Sequence, residues 1–156
     1  MSQNLKVLQP EKLKCSKFLT DLKNLNADLF IVVAFRMLPK EVWSIPKYGT
    51  FNIHASLLPQ YRGAAPINWA LINGEKKTGV TSFLIDEKID TGAILLHKDC
   101  EIRKNENVGE LHDRLMLMGA ELTIETCEGI FNKKIEPRVQ KNIPELKNAP
   151  KLFKSD

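Results

Sequence analysis

Hydrophobic positions along this chain fall into two rhythms. Over residues 11–26, Leu13, Phe18, Leu19, Leu22 and Leu25 recur near helical spacing and predict an amphipathic helix. The same rhythm through Val108, Leu111, Leu115, Met118 and Leu122 predicts a long helix ending near Phe131. Residues 28–34 are a continuous apolar run, as expected of a strand buried on both faces of a parallel sheet. Residues 50–55, 79–85 and 93–102 read as further strands, and 5–8, closed by Pro10, as a short opening one. Pro39 begins a short helix to Ser44 that Pro46 ends, and Pro66 begins another that Asn73 and Gly74 stop.

Strands alternating with helices, followed by a late hairpin, define an α/β fold: an open, mostly parallel sheet with flanking helices and a mixed edge. Residues 1–132 make up this core. After Asn132 the periodicity fails, and Pro137, Pro144 and Pro150, interleaved with lysines, make 133–156 an extended, solvated linker toward a further domain. The first glycine is Gly49, so no glycine-rich phosphate loop opens the sheet. The sheet is therefore expected to lack its opening strands. Residues 28–34 would then carry an unpaired edge and a tendency to self-associate.

Composition narrows the classes. A hydrophobic share of 43% and a charged share of 27% over 156 residues are those of one folded domain. The net charge of +4 permits an anionic partner without requiring one. Cys15, Cys100 and Cys127 are odd in number and far apart, which gives no zinc spacing and no disulfide framework. The expectation is no metal and reduced thiols in a cytoplasmic protein. No apolar run approaches the ~20 residues of a membrane span, and the first residues lead into no signal peptide.

The candidate chemistry lies at the end of the middle strand. Asn52 and His54 are two apart, so both side chains point to one face, and an Arg62-Gly63 loop follows before a helix. A carboxamide donor and a titratable imidazole suit a reaction that builds charge on an oxygen. Asp90 lies in a turn beyond the next strand, where a carboxylate would fix the His54 tautomer. Each has a plainer reading: Asn52 and His54 as hydrogen-bonded structural residues, and Asp90-Thr91-Gly92 as ordinary turn chemistry. Asp-Thr-Gly-Ala is also the catalytic turn of dimeric aspartic proteases, but two amphipathic helices oppose that all-β fold. His97 and His112 read as surface residues, and Trp43 and Trp69 as packing.

The string Asn-Ile-His-Ala-Ser-Leu-Leu-Pro-Gln-Tyr-Arg-Gly-Ala-Ala-Pro, with Gly79-Val80-Thr81 and Ile89-Asp90-Thr91-Gly92, resembles the folate-dependent formyltransferase family, in particular its methionyl-tRNA formyltransferases. That resemblance implies a Rossmann-type core and formyl transfer from 10-formyltetrahydrofolate to the amine of methionyl-initiator-tRNA. It implies Asn52, His54 and Asp90 as the catalytic trio, and Ser56, Leu57, Leu58 and Pro59 as a folate-contacting turn. Met37 and Leu38 would edge the folate pocket, and Arg62 and Gly63 would meet the substrate. It further implies a core truncated at the N-terminus and lacking the family's C-terminal barrel domain. A silent or split remnant that binds only folate or a partner is the alternative.

Overall fold

The computed structural model describes residues 5–34, 37–141 and 143–153. Helix α1 (Ser16–Asn24) begins at Cys15, whose Sγ accepts the Phe18 N–H at 3.4 Å. Strand β1 (Phe30–Val33), helix α2 (Lys40–Trp43), strand β2 (Thr50–His54) and the two-residue strand β3 (Arg62–Gly63) follow. Helix α3 (Pro66–Ile72) leads to a long hairpin of β4 (Lys77–Leu84) and β5 (Ile94–Glu101). Helix α4 (Val108–Phe131) and the two-residue strand β6 (Asn148–Ala149) complete the order.

The main sheet runs β1-β2-β4-β5. β1 lies parallel to β2, and the hairpin adds antiparallel to β2. The fold class is the expected α/β open sheet with flanking helices. Its antiparallel hairpin edge accounts for two of the three pairings in this main sheet.

Two strand expectations need correction. Residues 5–8 take no regular structure, and Leu5 and Val7 stand exposed; a short apolar run forms no strand without a neighbour to pair with. β1 is not buried on both faces. It is the outermost strand, so Ile31 and Val33 are 46% and 62% exposed.

Helix α4 closes one face of the sheet. Leu111, Leu115 and Leu122, spaced to one side of the helix, form the core with Val80 of β4. Asn107 caps the helix reciprocally with Glu110, which satisfies first-turn N–H groups. The buried hydroxyls Thr126 and Ser82 stand 2.8 Å apart across this interface, so neither is left without a partner.

The segment after α4 is extended, as its prolines dictate, but it does not leave the core. Ile94 and Arg138 exchange backbone hydrogen bonds of 2.8 Å in each direction. β6 then pairs parallel to β3. From Arg138 to Pro150 this segment is thus a strap bonded to the core.

Candidate active site

The alternation of β2 sends Asn52 and His54 to the face opposite α4, next to Phe83 and Thr81 of β4. His54 is 6% exposed, and its Nε2 lies 2.8 Å from the carbonyl oxygen of Tyr61. A carbonyl only accepts, so Nε2 carries a proton. That bond fixes the tautomer and turns Nδ1 toward Asp90, whose Oδ2 is 3.8 Å away. With Nδ1 also protonated, the two form an ion pair.

Asp90 occupies the turn between β4 and β5 with φ +53°, the left-handed region that short polar residues tolerate. Its Oδ2 accepts the Gly63 N–H at 2.9 Å. Gly63 has φ +125°, and a Cβ there would come 2.4 Å from the Ala149 carbonyl oxygen of β6. Only glycine fits this crossing. Asn52 completes the group: its Oδ1 is buried and has no hydrogen-bond partner.

The three side chains open onto a cavity of about 1150 Å³, at the upper end of ordinary ligand pockets. Val33, Met37, Leu38 and Ile85 contribute apolar wall, and Gly63 lies beside Asp90 at the rim. The cavity continues around the end of β1 to the exposed side of α4 at Met116 and Ala120.

Not every expected site residue lines it. Ser56, Leu57, Leu58 and Pro59 face away from the cavity. Ser56 Oγ donates to the Gln60 carbonyl at 2.7 Å, and the Leu58 N–H donates to Thr81 Oγ1 at 3.2 Å. Leu57 packs over Gly79 of β4, and the Leu58–Pro59 peptide is cis. Beyond His54 the chain turns over the sheet and buries Leu58 there. Arg62 is also diverted: its Nε and Nη2 donate to Gln140 Oε1 at 3.1 and 2.7 Å.

Three residues that the sequence reading missed hold the site. Tyr61 supplies the carbonyl that receives His54, Gln140 bonds to the Asp90 turn, and Ala149 crosses Gly63. Gln140 lies 50 positions from Asp90 in a segment without periodicity, so no local signal marks it. Tyr61 is itself clamped: its hydroxyl donates to Glu75, which also accepts from Lys147 Nζ at 2.6 Å on the strap. These bonds, to Lys147 first and Tyr61 second, hold the Glu75 carboxyl below its ordinary pKa.

The remaining candidates lie away from the trio, although Trp43 and His112 line outer parts of the same cavity. His97 is exposed on β5, and His112 Nδ1 faces Asp113 Oδ1 at 3.2 Å on the surface. Trp69 Nε1 donates to the Pro150 carbonyl at 2.8 Å, which fastens the strap to α3. Burial pushes the Cys100 and Cys127 thiols up, against nucleophilic use. Among the described residues, no group of three His, Cys, Asp or Glu side chains is placed to hold a metal.

Asn52 and His54 of the sheet and Asp90 of the β4–β5 turn thus meet on one largely apolar cavity. Residues 1–127 match the formyl transferase family, and the chain belongs to it. It is 57% identical over 152 residues to the methionyl-tRNA formyltransferase of Flavobacterium psychrophilum, covering 97% of this chain and 48% of that protein. With the methionyl-tRNA formyltransferase of Bacteroides thetaiotaomicron it shares 52% identity over 157 residues, 99% of this chain and 49% of that one. The chain thus spans about half the length of the curated relatives it matches. Among solved structures, HypX from Aquifex aeolicus in complex with tetrahydrofolic acid superposes with TM-score 0.76 at 25% identity, over 89% of this chain and 24% of that one. The formyltransferase PseJ from Anoxybacillus kamchatkensis, solved with tetrahydrofolate and a formamido sugar nucleotide, gives TM-score 0.69 at 26% identity, over 79% and 65%.

Proposed function

We propose that this chain carries the chemistry of formyl transfer from 10-formyltetrahydrofolate to the amino group of methionyl-initiator-tRNA, a cytoplasmic step of translation initiation. The observation that carries this reading is the convergence of Asn52, His54 and Asp90 on one apolar cavity. Identity above 50% with methionyl-tRNA formyltransferases supports the choice of acceptor.

The cavity suits a folate. Its apolar wall accepts a flat ring system, and Asn52 lines it beside that wall. When bound, 10-formyltetrahydrofolate supplies the formyl carbon that the amine attacks. Asn52 donates from its side-chain N–H to the formyl oxygen as negative charge builds there. His54, held through Nε2 by the Tyr61 carbonyl, donates from Nδ1 to the same oxygen when its ring is doubly protonated. Asp90, fixed by the Gly63 N–H, is the base that takes the proton the amine must lose and passes it to the folate nitrogen as the bond from that nitrogen to the formyl carbon breaks.

Met37 and Leu38 belong to the folate wall in this reading, and Gly63 meets the incoming aminoacyl end at the rim. Ser56, Leu57, Leu58 and Pro59 form the floor beneath the trio rather than a contact with the ring. The open edge of β1, with Ile31 and Val33 exposed beside it, favours self-association. No helix among the described residues is long and apolar enough to cross a membrane.

Calorimetric titration with a 10-formyl-folate analogue and a methionyl-tRNA formylation assay test the proposal. Saturable binding and formylated product are the expected results. Binding without transfer identifies a silent folate-binding remnant, and absence of both removes the reading.

A further inference from the structure

The Gln140 carboxamide spends its hydrogen-bonding capacity at the back of the site. Its Nε2 donates to the carbonyl oxygens of Asp90 at 2.9 Å and Gly92 at 2.8 Å, and its Oε1 accepts two bonds from the Arg62 guanidinium. One side chain of the strap therefore joins the Asp90 turn to the loop that presents Gly63.

We propose that Gln140 is a positioning residue for the catalytic carboxylate, and that the strap from Arg138 to Ala149 is a working part of the site rather than a linker. The inference rests on the formyl-transfer reading of this site. Asp90 sits in the left-handed region, where a non-glycine backbone persists only if its surroundings hold it. Other bonds to this loop act on side chains: Thr91 Oγ1 bonds to Asp86 within it, Lys40 Nζ reaches Glu87 at 2.8 Å, and the Gly63 N–H reaches the Asp90 carboxylate. Gln140 supplies the external restraint with two donors on two carbonyls of one turn.

The strap is anchored on both sides of Gln140. Arg138 exchanges backbone bonds with Ile94, and Lys147 accepts the Tyr61 N–H at its carbonyl while its ammonium reaches Glu75. Ala149 then closes against Gly63. Both residues that fix His54 and Asp90 from the loop, Tyr61 and Gly63, are thus in contact with the strap. Displacing a reacting group by about 1 Å costs a large factor in rate, so a restraint of this kind acts on turnover before it acts on binding.

Two substitutions separate the donor role from the Arg62 contact. Gln140→Ala removes both. Gln140→Glu keeps an acceptor for Arg62 but loses the donors to Asp90 and Gly92. Both variants are expected to lower kcat for formylation by roughly 100-fold, with the KM for the folate within about twofold of the unmodified chain. Independently of turnover, both should speed amide exchange at Gly63, whose N–H is held by Asp90, by about tenfold or more. Near-normal kcat and Gly63 protection in Gln140→Glu overturn the proposal, because the Arg62 contact alone would then suffice. If the unmodified chain transfers no formyl group, the functional reading falls, and the Gly63 exchange still decides the role of Gln140.

Discussion

Nδ1 of His54 faces Oδ2 of Asp90 at 3.8 Å, and that same oxygen accepts the Gly63 N–H at 2.9 Å. The carboxylate is thus shared between a ring that can be charged and a backbone donor that holds it still. A merely structural aspartate in a hairpin turn would bond within its own turn, as Asp86 does with Lys88 N–H at 2.9 Å. Asp90 instead reaches across to another loop and to the end of β2.

His54→Ala and Asp90→Asn should each lower formyl transfer by roughly 100- to 10,000-fold while leaving the fold intact. Asp90→Asn retains an oxygen for the Gly63 N–H, so its loss reports the charge and not the loop. Single-turnover formylation with far-ultraviolet circular dichroism on the same samples measures both quantities. Turnover above about a tenth of the unmodified rate in either variant removes the assigned role.

The apolar residues near the site divide into cavity wall and floor, and substitution should tell them apart. Leu58 is buried against β4, so Leu58→Ala is expected to cost about 2–5 kcal/mol of stability and to leave folate affinity unchanged. Met37 lines the cavity and is otherwise exposed, so Met37→Asp should weaken folate binding and spare the fold. Urea unfolding and calorimetric titration give the two readouts. The opposite pattern would restore the Ser56-to-Pro59 turn as a ligand contact.

Gly63→Ala places a methyl group against the Ala149 carbonyl at a backbone angle that side chains rarely adopt. We expect a loss of about 1–3 kcal/mol in urea unfolding and release of the strap, seen as faster exchange of the Tyr61 N–H that bonds to Lys147. Unchanged exchange there would mean that the strap is held without this crossing.

Acid should loosen the same strap from its other end. The Lys147 and Tyr61 bonds lower the Glu75 pKa in the folded chain, so its stabilisation is fully present above the ordinary carboxylate range. It is lost as the pH falls through the depressed folded-state value. The unmodified chain should exceed Glu75→Gln in stability at neutral pH, and the gap should close as the pH falls below the ordinary carboxylate range. Glu75 is a quarter exposed, which keeps the gap modest. A gap independent of pH would show that Glu75 contributes through shape alone.

The sequence made some of this legible and hid the rest for physical reasons. Elements with a buried face declare themselves by period: β2, β4, β5 and α4 fall close to their expected bounds, and with them the shared face of Asn52 and His54. The expected helix over 11–26 shortens to Ser16–Asn24, where Cys15 rather than an earlier residue caps it. The strap escaped notice because its bonds are made by side chains and carbonyls of an extended, proline-broken segment with residues 44 to 87 positions away. Periodicity reports burial, and this segment is held mostly by hydrogen bonds. The turn from Ser56 to Pro59 lies off the cavity for a related reason: adjacency to His54 in sequence says nothing about which way a chain turns after a strand ends.

The free edge of β1 gives the last prediction. Phe30 to Val33 pair with β2 on one side, and no described strand lies on the other. An outer strand presents unpaired N–H and C=O groups, and proteins commonly protect such edges with charge, proline or a covering element. Here the side chains on the α4 face of the edge are Ile31 and Val33, both substantially exposed, and neither blunts it. The chain should therefore associate as its concentration rises, through strand addition at β1. Ile31→Lys puts a charge beside the edge at a position that does not line the cavity, and should shift sedimentation toward monomer with little loss of stability. An unmodified chain that sediments as a monomer across the micromolar range would refute edge pairing. Association undiminished by Ile31→Lys would move it to another surface, such as the exposed Met116 and Leu117 of α4.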